Sequence, residues 1–315
     1  MLNRRHLRIK VLQALYAYFQ AEEDNYKRVE TELLNSIERI YDLYLYLLLS
    51  FEELKEISEQ KIEEGKAKPR PTEADLNPNT KFVNNKIFNH LVYNRSLRAA
   101  SEKNKVNWMG VEHHEMFKKV LNQIKESEIY FAYMHSDITS YEEDKEFACA
   151  LFKQEIANSH LIYNFFEEKS IHWIDDIDLA CSMVLRTIKG MEEETDFNII
   201  PLYKDEEDEL SFVKTLLKKT IANDGENLVL IDDLTKNWEL DRIAKMDIIL
   251  MKMAITELQS FNNIPKKVTL NEYIEISKFY STPKSSGFIN GILDKAILQL
   301  EKDNKISKIG RGLMD

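Results

Sequence analysis

The sequence predicts an all-α protein, and three observations support this fold class. Only 8 glycines and 6 prolines interrupt its 315 residues. Apolar residues recur at three- and four-residue spacing along most of the chain, and the strict alternation typical of strands is nearly absent. The hydrophobic fraction of 43% is large enough to build a substantial core, in one large domain or two ordinary ones.

A basic helix is predicted at the start of the chain, over residues 3–20. Leu7, Val11 and Leu15 form its apolar stripe, while the arginines lie largely off that stripe. No acidic residue precedes Glu22, so the segment 1–21 carries a charge of +4 within a chain of net charge −11. A compact basic patch on an acidic body indicates a local anion site, although a solvated basic first turn would also explain it. The patch comprises Arg4, Arg5, Arg8 and Lys10.

Composition divides the rest of the chain into segments. N-terminal helices are predicted over 1–63, followed by a linker over 64–80, where proline and glycine concentrate in a polar context. A helical insertion is predicted over 81–204, a C-terminal helical domain over 205–302, and a basic flexible tail over 303–315.

An internal repeat is visible when each residue is compared with the one 65 positions later. The comparison aligns Phe147 with Phe212 and Trp173 with Trp238. Because two of the three tryptophans align without a gap, a helical unit at 144–189 is predicted to recur at 208–254. Trp108 precedes Trp173 by the same spacing and gives a weaker indication of a third copy.

Two helices separated by a polar turn are predicted over 264–297. Thr269 with Glu272 forms a capping-box pattern, and Thr282 with Pro283 is a second helix start. Gly287 and Gly291 lie one turn apart in the last helix, where glycine lowers helix stability. Their placement predicts that a neighbouring helix or a ligand approaches this face closely.

Several classes of function lack a motif in this sequence. No phosphate-binding glycine loop, metal-ligand cluster or nucleophile–histidine set is present, so we expect no enzyme activity, no cofactor and no metal. Cys149 and Cys181 have no metal-type spacing and are predicted to be buried as small hydrophobic residues. The longest apolar run, Leu43–Phe51, is too short to cross a bilayer, so a cytoplasmic protein without membrane contact is expected.

The C-terminal third resembles the NusB family of transcription antitermination factors. The similar motifs are 237–243, 254–258, 264–272 and 288–294, and the N-terminal helix agrees through its arginines and through 13–16. The resemblance covers roughly 1–45 and 205–300. It implies a NusB-like helical bundle, with the middle of the chain as an insertion that contains the duplicated unit.

The family resemblance also implies a function. It implies binding of the single-stranded boxA element in nascent ribosomal RNA transcripts, together with the ribosomal protein NusE, in the antitermination complex of RNA polymerase. Arginines would bind phosphates, Tyr16 would stack on a base, and the turn from Tyr280 to Phe288 would form a second wall. Lys284 stands where relatives often have an acidic residue. The predicted RNA-binding residues are Arg4, Arg5, Arg8, Lys10, Gln13, Tyr16, Tyr280, Lys284, Ser285 and Phe288.

Two alternatives stay open at this point. The chain could be a non-catalytic scaffold for the transcription or ribosome-assembly machinery, in which the insertion makes the main contacts. It could also be related to RNA cytosine methyltransferases that carry a fused NusB-like domain, but no nucleotide-binding loop or catalytic cysteine motif follows that domain here.

Overall fold

The computed structural model describes residues 2–21, 25–195, 197–235 and 242–313, and all regular structure in these ranges is helical. This confirms the predicted all-α fold class. A π-helical turn at Phe152–Ile156 continues α8, and a 3-10 helix at Ile171–Asp176 precedes α10. The α-helices are α1 (Arg4–Gln20), α2 (Tyr26–Lys66), α3 (Glu73–Leu76), α4 (Lys86–Val92), α5 (Arg95–Asn104), α6 (Val111–Glu126), α7 (Glu128–His135), α8 (Tyr141–Leu151), α9 (His160–Lys169), α10 (Ile177–Gly190), α11 (Glu206–Ala222), α12 (Asp224–Leu234), α13 (Lys245–Ser260), α14 (Lys266–Tyr280) and α15 (Ser285–Lys302).

The chain forms two compact units. The first unit contains Glu38–Leu202, and the second contains Leu2–Ile37 together with Tyr203–Asp315. The predicted linker at 64–80 holds the end of α2 and the short helix α3, and it lies inside the first unit.

Within the first unit, two tryptophans bind the backbone of the long helix α2. The indole N–H of Trp173 donates to the backbone carbonyl of Arg39, and that of Trp108 donates to the carbonyl of Tyr46, both at 2.9 Å. The two acceptors lie seven positions apart, which is two turns of one helix. Trp108 and Trp173, which are separated by the repeat spacing, therefore make equivalent contacts two turns apart on α2.

The helices follow the period that the sequence indicates. α8 with its π-helical turn spans 141–156 and α11 spans 206–222, while α9 begins at 160 and α12 at 224. The aligned residues Phe147 and Phe212 are both buried, and so are the acidic pair Asp144 and Glu209. α5 begins at 95, one period before α9, although no helix begins one period before α8 in the described ranges. Trp238 lies outside the described residues.

The second unit is built around α13. Every residue from Ile249 to Leu258 is buried, because α1, α11, α12, α14 and α15 all pack against this helix. The sequence alone predicts a central buried helix here, because apolar residues from Ile248 to Leu258 cover most of its circumference. Part of the predicted flexible tail is bound to the same unit. Lys308 Nζ donates to the backbone carbonyl of Phe261 at 2.9 Å. The backbone N–H of Ile309 donates to the backbone carbonyl of Asn262 at 3.0 Å.

The two predicted helix starts in the C-terminal pair are wrong by four and two residues. α14 begins at Lys266 with Pro265 before it and no side-chain cap, because Thr269 and Glu272 bind other helices instead. α15 begins at Ser285, whose hydroxyl accepts from the backbone N–H of Thr282 at 3.2 Å.

In the described part of the chain, no neighbouring helix approaches the two glycines of α15 closely. Gly287 and Gly291 are exposed, and a Cβ added at either position would meet no atom within 4 Å. Packing of a neighbouring helix therefore does not explain these glycines in the described part of the chain.

Candidate nucleic-acid interface

Helices α1 and α13 run in opposite directions. Near the start of α1, Arg8 binds Glu257 near the end of α13. At the other end, Lys245 Nζ on the first turn of α13 donates to Gln20 Oε1, the last residue of α1, at 3.1 Å. These two contacts fix the direction of the basic helix within the second unit.

Helices α14 and α13 also run in opposite directions. Thr269 near the start of α14 donates to Glu257, while Ser281, just after α14, donates to Asp247 on the first turn of α13. Since α1 and α14 are both antiparallel to α13, they are parallel to each other. The C-terminal end of α1 and the turn after α14 therefore lie at the same end of this unit.

Arg8 is the centre of a buried polar cluster. Its Nε and one terminal nitrogen donate to the two oxygens of Glu257 at 2.8 and 2.7 Å, and both residues are almost fully buried. The Thr269 hydroxyl donates to the same carboxylate at 2.8 Å, and the Tyr273 hydroxyl donates to it at 3.1 Å. Burial, together with the Glu257 charge, raises the pKa of Tyr273 well above its ordinary value. The cluster joins α1, α13 and α14.

Burial revises the predicted RNA contacts of three residues. Arg8, Lys10 and Ser285 are each at most 2% exposed, so their side chains are not presented to a ligand in this structure. Arg8 is occupied by Glu257, and the Ser285 hydroxyl donates to Asp247 Oδ2 at 2.7 Å. Arg8 and Ser285 hold helices in place, because a buried charge or hydroxyl requires a partner.

Arg4 and Arg5 line an open cleft of about 570 Å³, together with Pro265, Val268 and the almost fully buried Arg8. Arg4 pairs with Asp208 at 2.5 Å and lies over the ring of Phe212, with its guanidinium carbon 4.3 Å from the ring centroid. These contacts leave 31% of the Arg4 side chain exposed.

Arg5 makes a bidentate ion pair with Glu272, at 2.8 and 2.9 Å, and keeps 42% of its side chain exposed. The hydrogen bonds from Arg5 lower the pKa of the Glu272 carboxyl. Arg4 and Arg5 are thus accessible cations, but each already has a carboxylate partner.

The remaining predicted residues lie toward the other end of α1. Tyr16 is 39% exposed, and it follows Arg5 by eleven positions, or about 16 Å of helix. Lys284 is exposed on the turn between α14 and α15. Gln13, Tyr280 and Phe288 are half-buried. The predicted residues that are not buried therefore form two groups. Arg4 and Arg5 lie near the start of α1, and the others lie toward the end of α1 and around the turn between α14 and α15.

Reasoning from the sequence missed two residues of this region. Phe279 is 80% exposed on the last turn of α14, whereas the apolar pattern allowed it to be buried. The second is Glu257, the partner of Arg8: a carboxylate on the buried helix α13 indicates a cation partner.

Comparisons with known proteins address the C-terminal half. Residues 178–298 match the model of the NusB family. The region is therefore a NusB-family domain. No solved structure matches the chain significantly.

Three relatives of the NusB-family domain are each called transcription antitermination protein NusB. The protein of Salinibacter ruber is 42% identical over 103 residues, that of Natranaerobius thermophilus 38% over 91, and that of Chloroherpeton thalassium 41% over 104. These matches cover 33%, 29% and 33% of this chain. They cover 64%, 66% and 49% of the relatives, so the chain spans less than two thirds of each.

The family match includes α10 to α15 but not α1. The predicted basic helix α1 lies outside the matched residues, but it contacts the NusB-family domain through ion pairs of its arginines with Glu257 and Glu272. The motif residues 237–241, which carried part of the resemblance, lie outside the described residues. No helix in the described ranges is long and apolar enough to span a membrane.

Proposed function

We propose that this protein is an RNA-binding transcription antitermination factor that acts without catalysis. It binds boxA-like single-stranded RNA in nascent ribosomal RNA transcripts, together with NusE, as part of the antitermination complex of RNA polymerase. The observation that carries the proposal is the NusB-family domain at 178–298, whose relatives are named antitermination proteins. The residues proposed to contact RNA directly are Arg4, Arg5, Gln13, Tyr16, Tyr280, Lys284 and Phe288.

The placement of α1 supports this proposal. The buried cluster of Arg8 and Glu257 fixes α1 on the family domain, so that the accessible Arg5 and Tyr16 lie on one side of a rigid helix. Single-stranded RNA is bound by cations that neutralise phosphates and by aromatic side chains that stack on bases. Arg5 can supply the first interaction and Tyr16 the second.

The arginines must exchange partners when RNA binds. Arg5 is held by Glu272 and Arg4 by Asp208, so a phosphate would compete with each carboxylate. Both pairs are partly exposed, and ion pairs of that kind contribute little to stability, about 0–1 kcal/mol. Replacing these carboxylates by phosphates therefore costs little free energy. The same carboxylates repel an RNA that contacts only part of the surface.

The direct test is binding of a fluorescein-labelled boxA-like RNA to the intact protein, with and without purified NusE. We expect tighter binding to this RNA than to a scrambled strand of equal length and composition, and a further gain in affinity with NusE. Equal affinity for both strands in both conditions would contradict the proposal.

A scaffold function is a second candidate, and the first unit provides an observation in its favour. Met109 is 80% exposed and Val111 is 79% exposed, next to an open cleft of about 490 Å³ that Met116, Leu161 and Phe165 line. Exposed apolar groups beside a cleft are typical of protein-binding sites. Changing Met109 and Val111 to Ser would distinguish the two functions, because it should weaken protein capture and leave RNA affinity unchanged.

A further inference from the structure

Phe279 is a strongly exposed aromatic side chain. It is 80% exposed, although it lies within a well-formed helix whose next aromatic residue, Tyr280, is half-buried. Among the described residues of the second unit, Tyr16 and Phe279 are the exposed aromatic side chains. A phenyl ring left in water gives up the stabilisation that burial would provide. Its exposure leaves the ring available to a ligand or a partner.

Helix geometry places Phe279 on the side of α14 that faces α1. The ion pair of Arg5 with Glu272 marks the flank along which the two helices meet. Phe279 follows Glu272 by seven positions, which returns it to nearly the same face of α14. Tyr16 follows Arg5 by eleven positions, and this spacing also returns to the same face of α1.

The two aromatic residues therefore border one groove. Because α1 and α14 are parallel, both residues lie on the same side of the Arg5–Glu272 pair, Tyr16 about 16 Å beyond it and Phe279 about 10 Å beyond it. We call this surface the α1–α14 groove. The positions of its two aromatic residues are offset by about 6 Å along the helix axes, which is about the length of two nucleotides in a stacked strand.

Charge at this end of the groove favours a nucleic-acid strand over an apolar protein segment. Lys284 follows Phe279 by five positions and is exposed, and its ammonium group makes no hydrogen bond or ion pair within the described part of the chain. Arg5 lies at the opposite end of the groove. Aromatic faces between cations are the arrangement that binds single strands, through stacking and phosphate neutralisation.

We propose that Phe279 is a second base-stacking residue of the RNA site, and that it holds a base about two nucleotides from the one stacked on Tyr16. This inference rests on the proposed function. It adds a residue outside the predicted set and defines the path of the strand along the α1–α14 groove.

The test compares the affinity of wild-type and Phe279→Ala protein for the boxA-like RNA, with intact protein and NusE present. Removal of one stacked base contact is expected to weaken binding roughly 5-fold to 100-fold. Phe279→Trp should retain the affinity, because any aromatic face can stack. The matched control is Phe131→Ala, which removes a phenylalanine that is 63% exposed in the first unit and should leave the affinity unchanged.

Two further readouts separate stacking from a structural effect. Phe279→Ala removes no charge, so the slope of affinity against salt should not change, whereas Lys284→Gln should reduce it by about one. An RNA series with single abasic positions should contain one position whose loss weakens wild-type binding but not binding by Phe279→Ala.

The possible failures are distinguishable. If wild-type protein binds the RNA specifically and Phe279→Ala binds equally well, the stacking role is overturned while the proposed function stands. Loss of affinity without coupling to any base position overturns it as well and identifies a protein contact or a packing effect. If wild-type protein shows no specific binding, both proposals fail.

Discussion

Arg8 has the charge expected of a phosphate-binding residue, but it lies in the core. Its charge and its position off the apolar stripe suggest a phosphate contact, yet its guanidinium is buried against Glu257, Thr269 and Tyr273. Spacing along one helix indicates which residues share a face, but it does not reveal which face a second, sequence-distant helix covers. Glu257, which is far away in the sequence, is what decides the role of Arg8.

Replacing Arg8 by Met should destabilise the protein by about 3–5 kcal/mol, because it leaves the Glu257 charge buried without its cation. Equilibrium urea unfolding measures the change. Arg4→Met is the matched control, since its pair with Asp208 is partly exposed and should cost at most about 1 kcal/mol. Adding Glu257→Gln to Arg8→Met should recover part of the loss. Equal losses in the two single variants would contradict the assigned role.

The stability of the protein depends on pH through His6, on the first turn of α1. Its Nδ1 accepts the backbone N–H of Asn3 at 3.4 Å, which requires the neutral ring. Burial, followed by nearby positive charge that includes Arg5, lowers the pKa of His6 to about 4, from an ordinary value of about 6.5. The unfolded chain therefore takes up a proton at a higher pH than the folded chain does. The stability from this group is present above pH 6.5 and is lost as the pH falls toward 4.

His6→Gln tests this assignment, because Gln can accept the same N–H and does not titrate. Urea unfolding of both proteins at pH 7, 6, 5 and 4 should show the wild type losing stability relative to His6→Gln as the pH falls. A constant difference across this range would show that His6 is not the titrating group.

At the scale of the elements, the sequence predicts which segments are helical better than it predicts where each helix begins. The central helix α13 could be predicted because apolar residues cover most of its circumference. The start of α14 could not, since Thr269 and Glu272 fit a capping box but bind Glu257 and Arg5 instead. Tertiary hydrogen bonds outweigh a local capping preference of about 1 kcal/mol.

The glycines of α15 provide a test at this scale. Because Gly287 and Gly291 are exposed and have open space at the Cβ position, changing each to Ala should raise stability by about 0.5–1 kcal/mol. Thermal and urea unfolding measure the effect. Gly110→Ala is the contrasting control: its φ of +122° disfavours any residue with a Cβ, so this change should lower stability. Destabilisation by both α15 variants would show that the face is covered.

At the scale of the whole molecule, the first unit cannot simply be removed at the predicted linker. The α2 residues Tyr44, Leu47 and Phe51 are buried in the core of that unit, upstream of residue 64. Deleting 64–200 would expose these side chains to water. The shortened protein should bind a hydrophobic dye and associate in sedimentation experiments, whereas the full chain should not. A soluble shortened protein without dye binding would show that α2 does not depend on the deleted residues.

The repeat explains why the middle of the chain could be predicted in outline but not in detail. Its period indicates recurring helices, and the starts of α11 and α12 follow those of α8 and α9 by 65 and 64 residues. The contacts of the tryptophans with Arg39 and Tyr46 could not be predicted. A repeat shows that its copies are alike, but it does not show that two of them bind the long helix α2. The same limit applies to the candidate site: the sequence suggests Arg5, Tyr16 and Lys284 as RNA contacts, but the exposure of Phe279 depends on the direction of α14.

The salt dependence of RNA binding tests the central claim most directly, because it counts the phosphate contacts at the α1–α14 groove. We expect Arg5→Gln and Lys284→Gln each to lower affinity for the boxA-like RNA and to reduce the slope of log affinity against log salt by about one. Lys295→Gln, which removes an exposed lysine from α15, should change neither quantity. Slopes that are equal in the wild type and all three variants would contradict RNA binding at this surface.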